Sequence, residues 1–215
     1  MIELIDTVIG YDKVLARVNY KFATGTTLIL GKNGAGKSTL FKTILKQIPL
    51  VGGTIKIKGE DITSLSVMEV ASRITYLSTH TTRTSFMTGR DYLSLGVANP
   101  IYDVIATSKI FELGSYLNHP LNQMSEGQFQ KLRVAKALIQ SKKIVLLDEP
   151  FSFLDPYQKE LITEKVVFFE KEHNKTILLV THDYQLFAED TTCLFIGKDS
   201  FFEKKSAISN HVFRG

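Results

Sequence analysis

A glycine-rich segment near the start of the chain carries the residue types of a phosphate-binding loop. Residues 31–39 read GKNGAGKST and fit the pattern G-x-x-x-x-G-K-[ST]. Glycines let successive backbone N–H groups turn towards phosphate oxygens, while the lysine reaches the terminal phosphates and the next hydroxyl can bind Mg²⁺. The residues predicted to bind the phosphates are Asn33, Gly34, Ala35, Gly36, Lys37, Ser38 and Thr39.

The residues on either side of this loop support the assignment. Residues 27–30 form a short apolar run typical of a strand, and the apolar positions after the loop follow the helical period. A loop between a strand and a helix places its N–H groups at the helix N-terminus, where the helix dipole favours anions. A surface loop that merely contains glycines is the less favoured interpretation.

Two consecutive carboxylates follow an apolar run in the second half of the chain. Residues 144–147 are all aliphatic, which predicts a strand buried on both faces of a parallel sheet, and Asp148 and Glu149 follow it. Burying carboxylates there is costly unless a cation or hydrogen bonds compensate. Beside a phosphate loop, Asp148 is a candidate Mg²⁺ ligand and Glu149 a candidate base for a water molecule. A solvated acidic turn is the alternative.

Two further side chains are candidates for contact with the nucleotide, and each also has a purely structural interpretation. The strand predicted over 175–180 brings His182 to the same edge as Asp148, although a lone histidine is more often structural. Tyr11 lies in a polar turn and could stack on a base, although a tyrosine in a turn more often packs or lies on the surface. The residue types alone leave both roles open.

A long helix is predicted to begin just after residue 125. Ser125 and Gln128 have the S-x-x-Q spacing of a capping box, which places Ser125 at the N-cap. The N-terminus of this helix would offer a second anion site. Every helix needs a start, however, and a cap alone does not imply function.

The remaining elements fit a single α/β domain over 1–215. Short strands precede the phosphate loop, and more strands follow it. The stretch 79–124 is interpreted as a helical insertion, with Pro100 and Gly114 as helix boundaries.

A turn leads from the acidic pair into a helix predicted over 157–172. It contains Phe151 and Phe153, which are both expected to be core residues because large aromatic side chains are usually buried. Two strands are predicted to end the chain.

The composition is that of a globular protein without a secretion signal. Of the 215 residues, 44% are hydrophobic and 22% are charged, and the net charge of +4 comes without a dense Lys/Arg block, so no nucleic-acid partner is expected. Cys193 is the only cysteine, which fits a reducing compartment. No signal-peptide pattern occurs, and no apolar run approaches the ~18–20 residues that span a bilayer. The chain is therefore expected to be soluble and cytoplasmic.

Together these motifs resemble the ATP-binding cassette (ABC) ATPases, in particular the stand-alone ATPase subunits of bacterial ABC transporters. The similarity covers nearly the whole chain: the phosphate loop, the signature at 124–128, the strand ending in Asp148 and Glu149, the turn at 152–155, and His182. A signature placed ahead of the acidic strand end is specific to this family.

The resemblance implies a fold and an assembly. The fold is α/β, with a P-loop NTPase core of mainly parallel sheet at 1–78 and 125–215, an antiparallel β subdomain, and the helical insertion at 79–124. ATP and Mg²⁺ would be the cofactors, and hydrolysis would drive integral membrane permease subunits. A second copy, or a related ATPase subunit, would complete a head-to-tail dimer that encloses two ATP molecules. The protein would then lie at the inner face of the cell membrane, held there by the permease.

The resemblance also implies roles by position within one ATP site. Lys37 and Ser38 match the phosphate and Mg²⁺ contacts, and Asp148 matches the carboxylate associated with Mg²⁺. Glu149 matches the general base for the hydrolytic water. His182 matches the switch histidine that contacts the γ-phosphate.

Other matched positions concern adenine and the second subunit. Tyr11 matches the aromatic residue that stacks on adenine. Ser125, Gly127 and Gln128 belong to the signature, which touches the ATP held by the opposite subunit, and Asp155 would lie at the same dimer interface.

The sequence departs from the family pattern in two places. The signature is usually L-S-G-G-Q, and Met124 and Glu126 replace its first and third residues. Glu126 adds a negative charge near a phosphate site. The strand at 74–77 should also lead to a glutamine that senses Mg²⁺ and the attacking water, and Thr79 is the best positional match. Glu126 is expected to weaken nucleotide-driven closure, and the shorter reach of Thr79 is expected to lower the hydrolysis rate or alter the coupling.

The sequence leaves alternatives open for the kind of transporter and for the functional class. The segment 86–96 resembles importers for iron-siderophore, haem or cobalamin, with a small exporter subunit as the competing interpretation. The loop around 79–90 and the helical insertion would dock coupling helices of the permease. A soluble, non-transport ABC ATPase acting on nucleic acid or ribosomes is a second class. A weakly hydrolysing, nucleotide-dependent regulatory module is a third, motivated by the missing glutamine and by Glu126.

Overall fold

Two β-sheets and the helices packed on them make up the described part of the chain. The computed structural model describes residues 1–11, 13–79, 83, 87–96, 100–197 and 200–208. The strands are β1 Ile2–Gly10, β2 Val14–Phe22, β3 Gly25–Leu30, β4 Gly52–Ile57, β5 Glu60–Asp61, β6 Ile74–Leu77, β7 Ile144–Asp148, β8 Thr176–Val180, β9 Thr192–Phe195 and β10 Phe201–Lys204. The α-helices are α1 Lys37–Ile44, α2 Val67–Arg73, α3 Gly89–Ser94, α4 Val104–Ile110, α5 Glu126–Leu138 and α6 Pro156–Glu172.

The larger sheet is parallel except at one edge. Its strand order is β10-β9-β3-β8-β7-β6, and only β10 pairs antiparallel to its neighbour. The predicted mainly parallel sheet is confirmed. Because β3, β7 and β8 are adjacent and parallel, the segments that follow them emerge at one edge of the sheet.

The smaller sheet is antiparallel, as expected, and has the order β2-β1-β4-β5. The pairing of β1 with β4 is irregular around Asp6, whose φ is 44°. Gly53 lies opposite this bulge with φ 76°, and a Cβ there would be 2.2 Å from the carbonyl oxygen of Asp6. The close approach of the two backbones therefore requires glycine at residue 53.

The hydrophobic core lies on both faces of the larger sheet. On β7, Ile144 and Leu146 pack with the antiparallel sheet and α1, whereas Val145 and Leu147 pack with α5 and α6. This two-sided burial explains why the strand is entirely aliphatic.

The prediction that Phe151 and Phe153 are both core residues is confirmed for Phe151 and wrong for Phe153. Phe151 is 1% exposed and belongs to the core, but Phe153 is 68% exposed. Phe153 adopts the left-handed conformation, with φ 65°, in the tight turn before α6. This turn leaves its side chain at the surface.

The stretch 79–124, predicted to be a helical insertion, contains the short capped helices α3 and α4. The prediction that Pro100 and Gly114 bound a helix is wrong, because the side chain of Asp103 caps the start of α4 and Glu112, with φ 52°, follows its end. The predicted capping box of α5 is confirmed: the hydroxyl of Ser125 accepts from the N–H of Gln128, and the Gln128 side chain accepts from the N–H of Ser125.

Candidate active site

The glycine-rich loop joins β3 to α1, and the side chain of its lysine bonds back to the start of the loop. The Nζ of Lys37 donates to the carbonyl oxygens of Gly31 at 2.7 Å and Lys32 at 3.1 Å. Gly36 precedes α1 with φ 106°, and a Cβ there would lie 3.3 Å from the side chain of Leu15 on β2. Burial lowers the pKa of Lys37, and the nearby carboxylates of Glu149 and Asp148 oppose that shift. The loop is thus a turn at the N-terminus of α1 whose backbone conformation at residue 36 requires glycine.

Asp148 is the last residue of β7, and its carboxylate is only partly hydrogen-bonded by the described residues. The residue is 2% exposed, and the hydroxyl of Tyr76 donates to its Oδ2 at 3.5 Å. The Oδ1 is buried and has no hydrogen-bond partner among the described residues. A buried carboxylate oxygen without a donor suits a cation, and the hydroxyl-bearing Ser38 lines the same cavity. The donor set of Asp148 and Ser38 fits Mg²⁺.

Glu149 follows Asp148 in a left-handed backbone conformation. Its φ is 51°, and its N–H donates to the carbonyl oxygen of Val180 at 3.0 Å, which ties the end of β7 to the end of β8. Its Oε1 lies 3.4 Å from the Nε2 of His182. Burial raises the pKa of Glu149 to about 7, helped by the adjacent Asp148 and opposed by Lys37. A carboxylate with such a pKa is suited to accept a proton near neutral pH.

One cavity of about 300 Å³ gathers most of the predicted site residues. Thr79 lies at its wall, at the position where a glutamine was expected. The described residues that line the cavity are Asn33, Gly34, Gly36, Lys37, Ser38, Thr39, Thr79, Asp148, Glu149, Val180 and His182.

Other predicted residues lie away from this cavity. Tyr11 is at the tip of the β1–β2 hairpin and 56% exposed. Ser125, Gly127 and Gln128 form the N-terminus of α5, where a Cβ on Gly127 would lie 2.8 Å from the carbonyl oxygen of Phe153. None of these four residues is among the described residues that line the cavity.

A buried polar pair on α5 supports the acidic turn and was missed in the sequence. The Nε2 of Gln130 donates to the carbonyl oxygens of Glu149 at 3.2 Å and Pro150 at 3.0 Å. Arg133 donates to the Oε1 of Gln130 at 2.8 Å and, through its other terminal nitrogen, to the carbonyl oxygen of Ser78. Their i, i+3 spacing, which places both side chains on one side of the helix, is the signal that could have revealed this pair.

Comparisons with known proteins agree with this geometry. The family model described as ABC transporter matches residues 15–152. A probable ABC transporter ATP-binding protein, p29 of Mesomycoplasma hyorhinis, is 33% identical over an alignment of 207 residues, and the match covers 86% of this chain and 81% of the relative. An uncharacterized ABC transporter ATP-binding protein of Methanocaldococcus jannaschii, MJ0089, is 33% identical over 184 residues, covering 81% and 72% of the two chains.

Similarity to a solved structure covers the whole fold. The ATP-binding cassette MJ0796, in a dimeric post-hydrolysis state bound to ADP and Pi, superposes with a TM-score of 0.80 at 22% identity. The match covers 97% of this chain and 100% of that one. At this identity the match supports the fold.

Proposed function

This chain belongs to the ABC transporter family and is an ATPase of that family, and we propose that it powers a membrane permease as one half of an ATP-sandwich dimer. The observation that carries the proposal is that the described residues lining the cavity include only part of the predicted ATP site. The phosphate loop, Asp148, Glu149 and His182 share one cavity, whereas residues 125–128 are not among the described residues lining it. In the proposed dimer, the first turn of α5 from the second copy closes this cavity over ATP.

The cavity residues have separate tasks in this proposal. The N–H groups of the loop and the Nζ of Lys37 bind the β- and γ-phosphates. Glu149 takes a proton from the attacking water, since its pKa of about 7 leaves it largely ionised slightly above neutral pH. His182 contacts the γ-phosphate and orients the Glu149 carboxylate, from which its Nε2 lies 3.4 Å.

The proposed metal is Mg²⁺, held by Ser38 and Asp148. When bound, this ion neutralises charge on the phosphates during their transfer to water. The buried and unpartnered Oδ1 of Asp148 supports this assignment.

The adenine contact is assigned to Tyr11. The hairpin that carries Tyr11 approaches the phosphate loop, as shown by the contact of Leu15 with the Gly36 position. Tyr11 is exposed at the hairpin tip and therefore available to a base. Stacking on an aromatic ring tolerates such an open site.

The proposed membrane partner is a set of integral permease subunits, and no nucleic-acid partner is proposed. The docking surface is assigned to the insertion, where Leu95 and Ile105 are 57% and 58% exposed. Within the described part of the chain, no helix combines the length and apolarity needed to cross a bilayer. The proposed location is the cytoplasmic face of the cell membrane, through the permease. The cargo class of iron-siderophore, haem or cobalamin stays a prediction; it is based on the segment 86–96, of which residue 86 lies outside the described residues.

A weakly hydrolysing regulatory module is the second candidate function. The observation that favours it is Thr79, which lines the cavity where the family has a longer glutamine. Turnover at saturating Mg-ATP, with Lys37→Ala as the blank, separates the two candidates. Turnover no higher than the blank would favour the regulatory module.

ATP-dependent dimerisation of the Glu149→Gln variant tests the leading proposal. Without its base, this variant should bind ATP, fail to hydrolyse it and accumulate as a dimer in size-exclusion chromatography with light scattering. Lys37→Ala in the same background should remain monomeric. A Glu149→Gln protein that stays monomeric with saturating ATP would contradict the sandwich. Affinity capture from solubilised membranes with ATP should then recover a multi-span permease, and its recovery should depend on ATP.

A further inference from the structure

An arginine in the loop after β6 contacts the first turn of α5. The guanidinium of Arg83 donates to the carbonyl oxygen of Met124 at 2.8 Å and forms an ion pair with the carboxylate of Glu126. It also lies over the ring of Phe129, 5.1 Å from its centroid. The side chain of Arg83 is only 20% exposed, so this position is defined by packing as well as by charge.

Glu126 is the residue that places a negative charge in the signature. It is the first residue of α5, directly after the Ser125 cap, and its side chain is 61% exposed. An acidic residue stabilises the start of a helix, but it also repels any phosphate that approaches the same N–H groups. An uncompensated Glu126 would therefore oppose the closure that the proposed dimer requires.

We propose that Arg83 is a positioning residue that neutralises Glu126, so that the first turn of α5 can accept the phosphates of ATP bound by the second copy. This inference rests on the proposed function. It makes the two departures from the family pattern interdependent, because a loop that lacks the usual glutamine carries the cation that balances the unusual glutamate.

The same loop reaches both halves of the site. Thr79, at its start, lines the nucleotide cavity of its own subunit. The carbonyl oxygen of Ser78 is held by Arg133 on α5, and Arg83 is held by the N-terminus of α5. Residues 78 and 83 are thus both bonded to α5 or its first residues, the helix that carries Glu126.

The ATP concentration that gives half-maximal dimerisation measures this charge balance. In the Glu149→Gln background, Arg83→Met places an unbranched apolar side chain beside Phe129 and removes the guanidinium with its charge and its hydrogen bond to Met124. It should raise the required ATP concentration about three- to tenfold, and more at low than at high salt. Arg83→Lys should stay close to the parent, which guards against a folding defect of the methionine variant.

The double variant decides between charge balance and packing. Glu126→Gly removes the repelling carboxylate, so Arg83→Met with Glu126→Gly should recover the ATP dependence of the parent within about twofold. A double variant as weak as Arg83→Met would overturn the proposal. Arg90→Met is the matched control, because Arg90 is an arginine near the loop whose Nε donates to the side chain of Asn118, and it should change nothing.

Failure of the inference and failure of the proposed function give different results. If the parent dimerises with ATP and Arg83→Met dimerises equally well, the role of Arg83 is wrong and the sandwich stands. If the parent stays monomeric at every ATP concentration, the sandwich is wrong, and the role assigned to Arg83 is wrong with it.

Discussion

The Oε1 of Glu149 lies 3.4 Å from the Nε2 of His182, although 33 residues separate them in the chain. The contact arises because β7 and β8 are neighbouring parallel strands and the N–H of Glu149 is bonded to the last residue of β8. Burial raises the pKa of Glu149 to about 7, and the charged groups that act on it belong to Asp148, Lys37, Asp183 and Lys159. The pH dependence of activity and of stability should therefore reflect these surroundings.

The pH dependence of kcat/KM should show an acid limb near pH 7. Glu149 must be ionised to accept a proton, and its raised pKa means that activity is lost as the pH falls through about 7. Steady-state ATPase assays across pH 5.5–9 would measure the limb. A limb near the ordinary glutamate pKa of 4.5 would show that Glu149 is not the titrating base.

The Glu149→Gln variant should be more stable than the parent at alkaline pH. In the parent, the folded pKa of about 7 exceeds the unfolded value of 4.5, so stability falls as the pH rises between these values. The variant lacks this penalty and should gain on the order of 1 kcal/mol at pH 8, because partial exposure to solvent screens the effect, with no gain below pH 4.5. Urea unfolding at both pH values, with the exposed Glu160→Gln as control, would test this. An equal gain at both pH values would assign the effect to something other than titration.

Replacing Thr79 by valine should lower turnover and leave ATP affinity unchanged. Valine has nearly the shape of threonine but lacks its hydroxyl, and Thr79 lines the cavity, so a hydrogen bond from this side chain to the attacking water would be lost. One such bond is worth roughly tenfold in kcat. Thr79→Ser, which keeps the hydroxyl, should retain most of the rate. Equal kcat for the valine and serine variants would remove the hydroxyl from the mechanism.

Gln130→Leu should reduce kcat more than it reduces ATP binding. The variant deprives the carbonyl oxygens of Glu149 and Pro150 of their side-chain donor and leaves Arg133 without its Gln130 contact. Unfolding free energy should fall by about 1–3 kcal/mol. Single-turnover kinetics and ATP titration would separate the two effects, with the exposed Gln123→Leu as control. A loss confined to stability would show that Gln130 does not position the acidic turn.

Gly36→Ala should abolish tight nucleotide binding. A Cβ at residue 36, where φ is 106°, would be strained and would press on Leu15, which shifts the loop and its N–H groups. Gly59→Ala is a matched control, because Gly59 has φ 90°, nothing within 4 Å of the added Cβ, and no place in the cavity. It should cost about 1 kcal/mol of stability and leave ATP affinity unchanged. Fluorescent-nucleotide titration would show the difference, and equal affinities for the two variants would contradict it.

The sequence by itself determined the elements and most of the candidate cavity. Local signals sufficed because each motif carries its own structural context: glycines before a helix, an aliphatic run before Asp148, and a capping box at Ser125. Parallel strands then bring the ends of such runs to one edge, so Asp148, Glu149 and His182 could be expected to meet.

Only the tertiary structure decided the contacts between distant side chains. Nothing in the sequence near Glu126 indicates that Arg83 balances its charge, and the exposure of Phe153 follows from a left-handed turn that its residue type disfavours. The pKa of Glu149 is likewise set by burial against groups from three segments of the chain. These properties depend on distances across the fold, and a local sequence pattern contains no such distances.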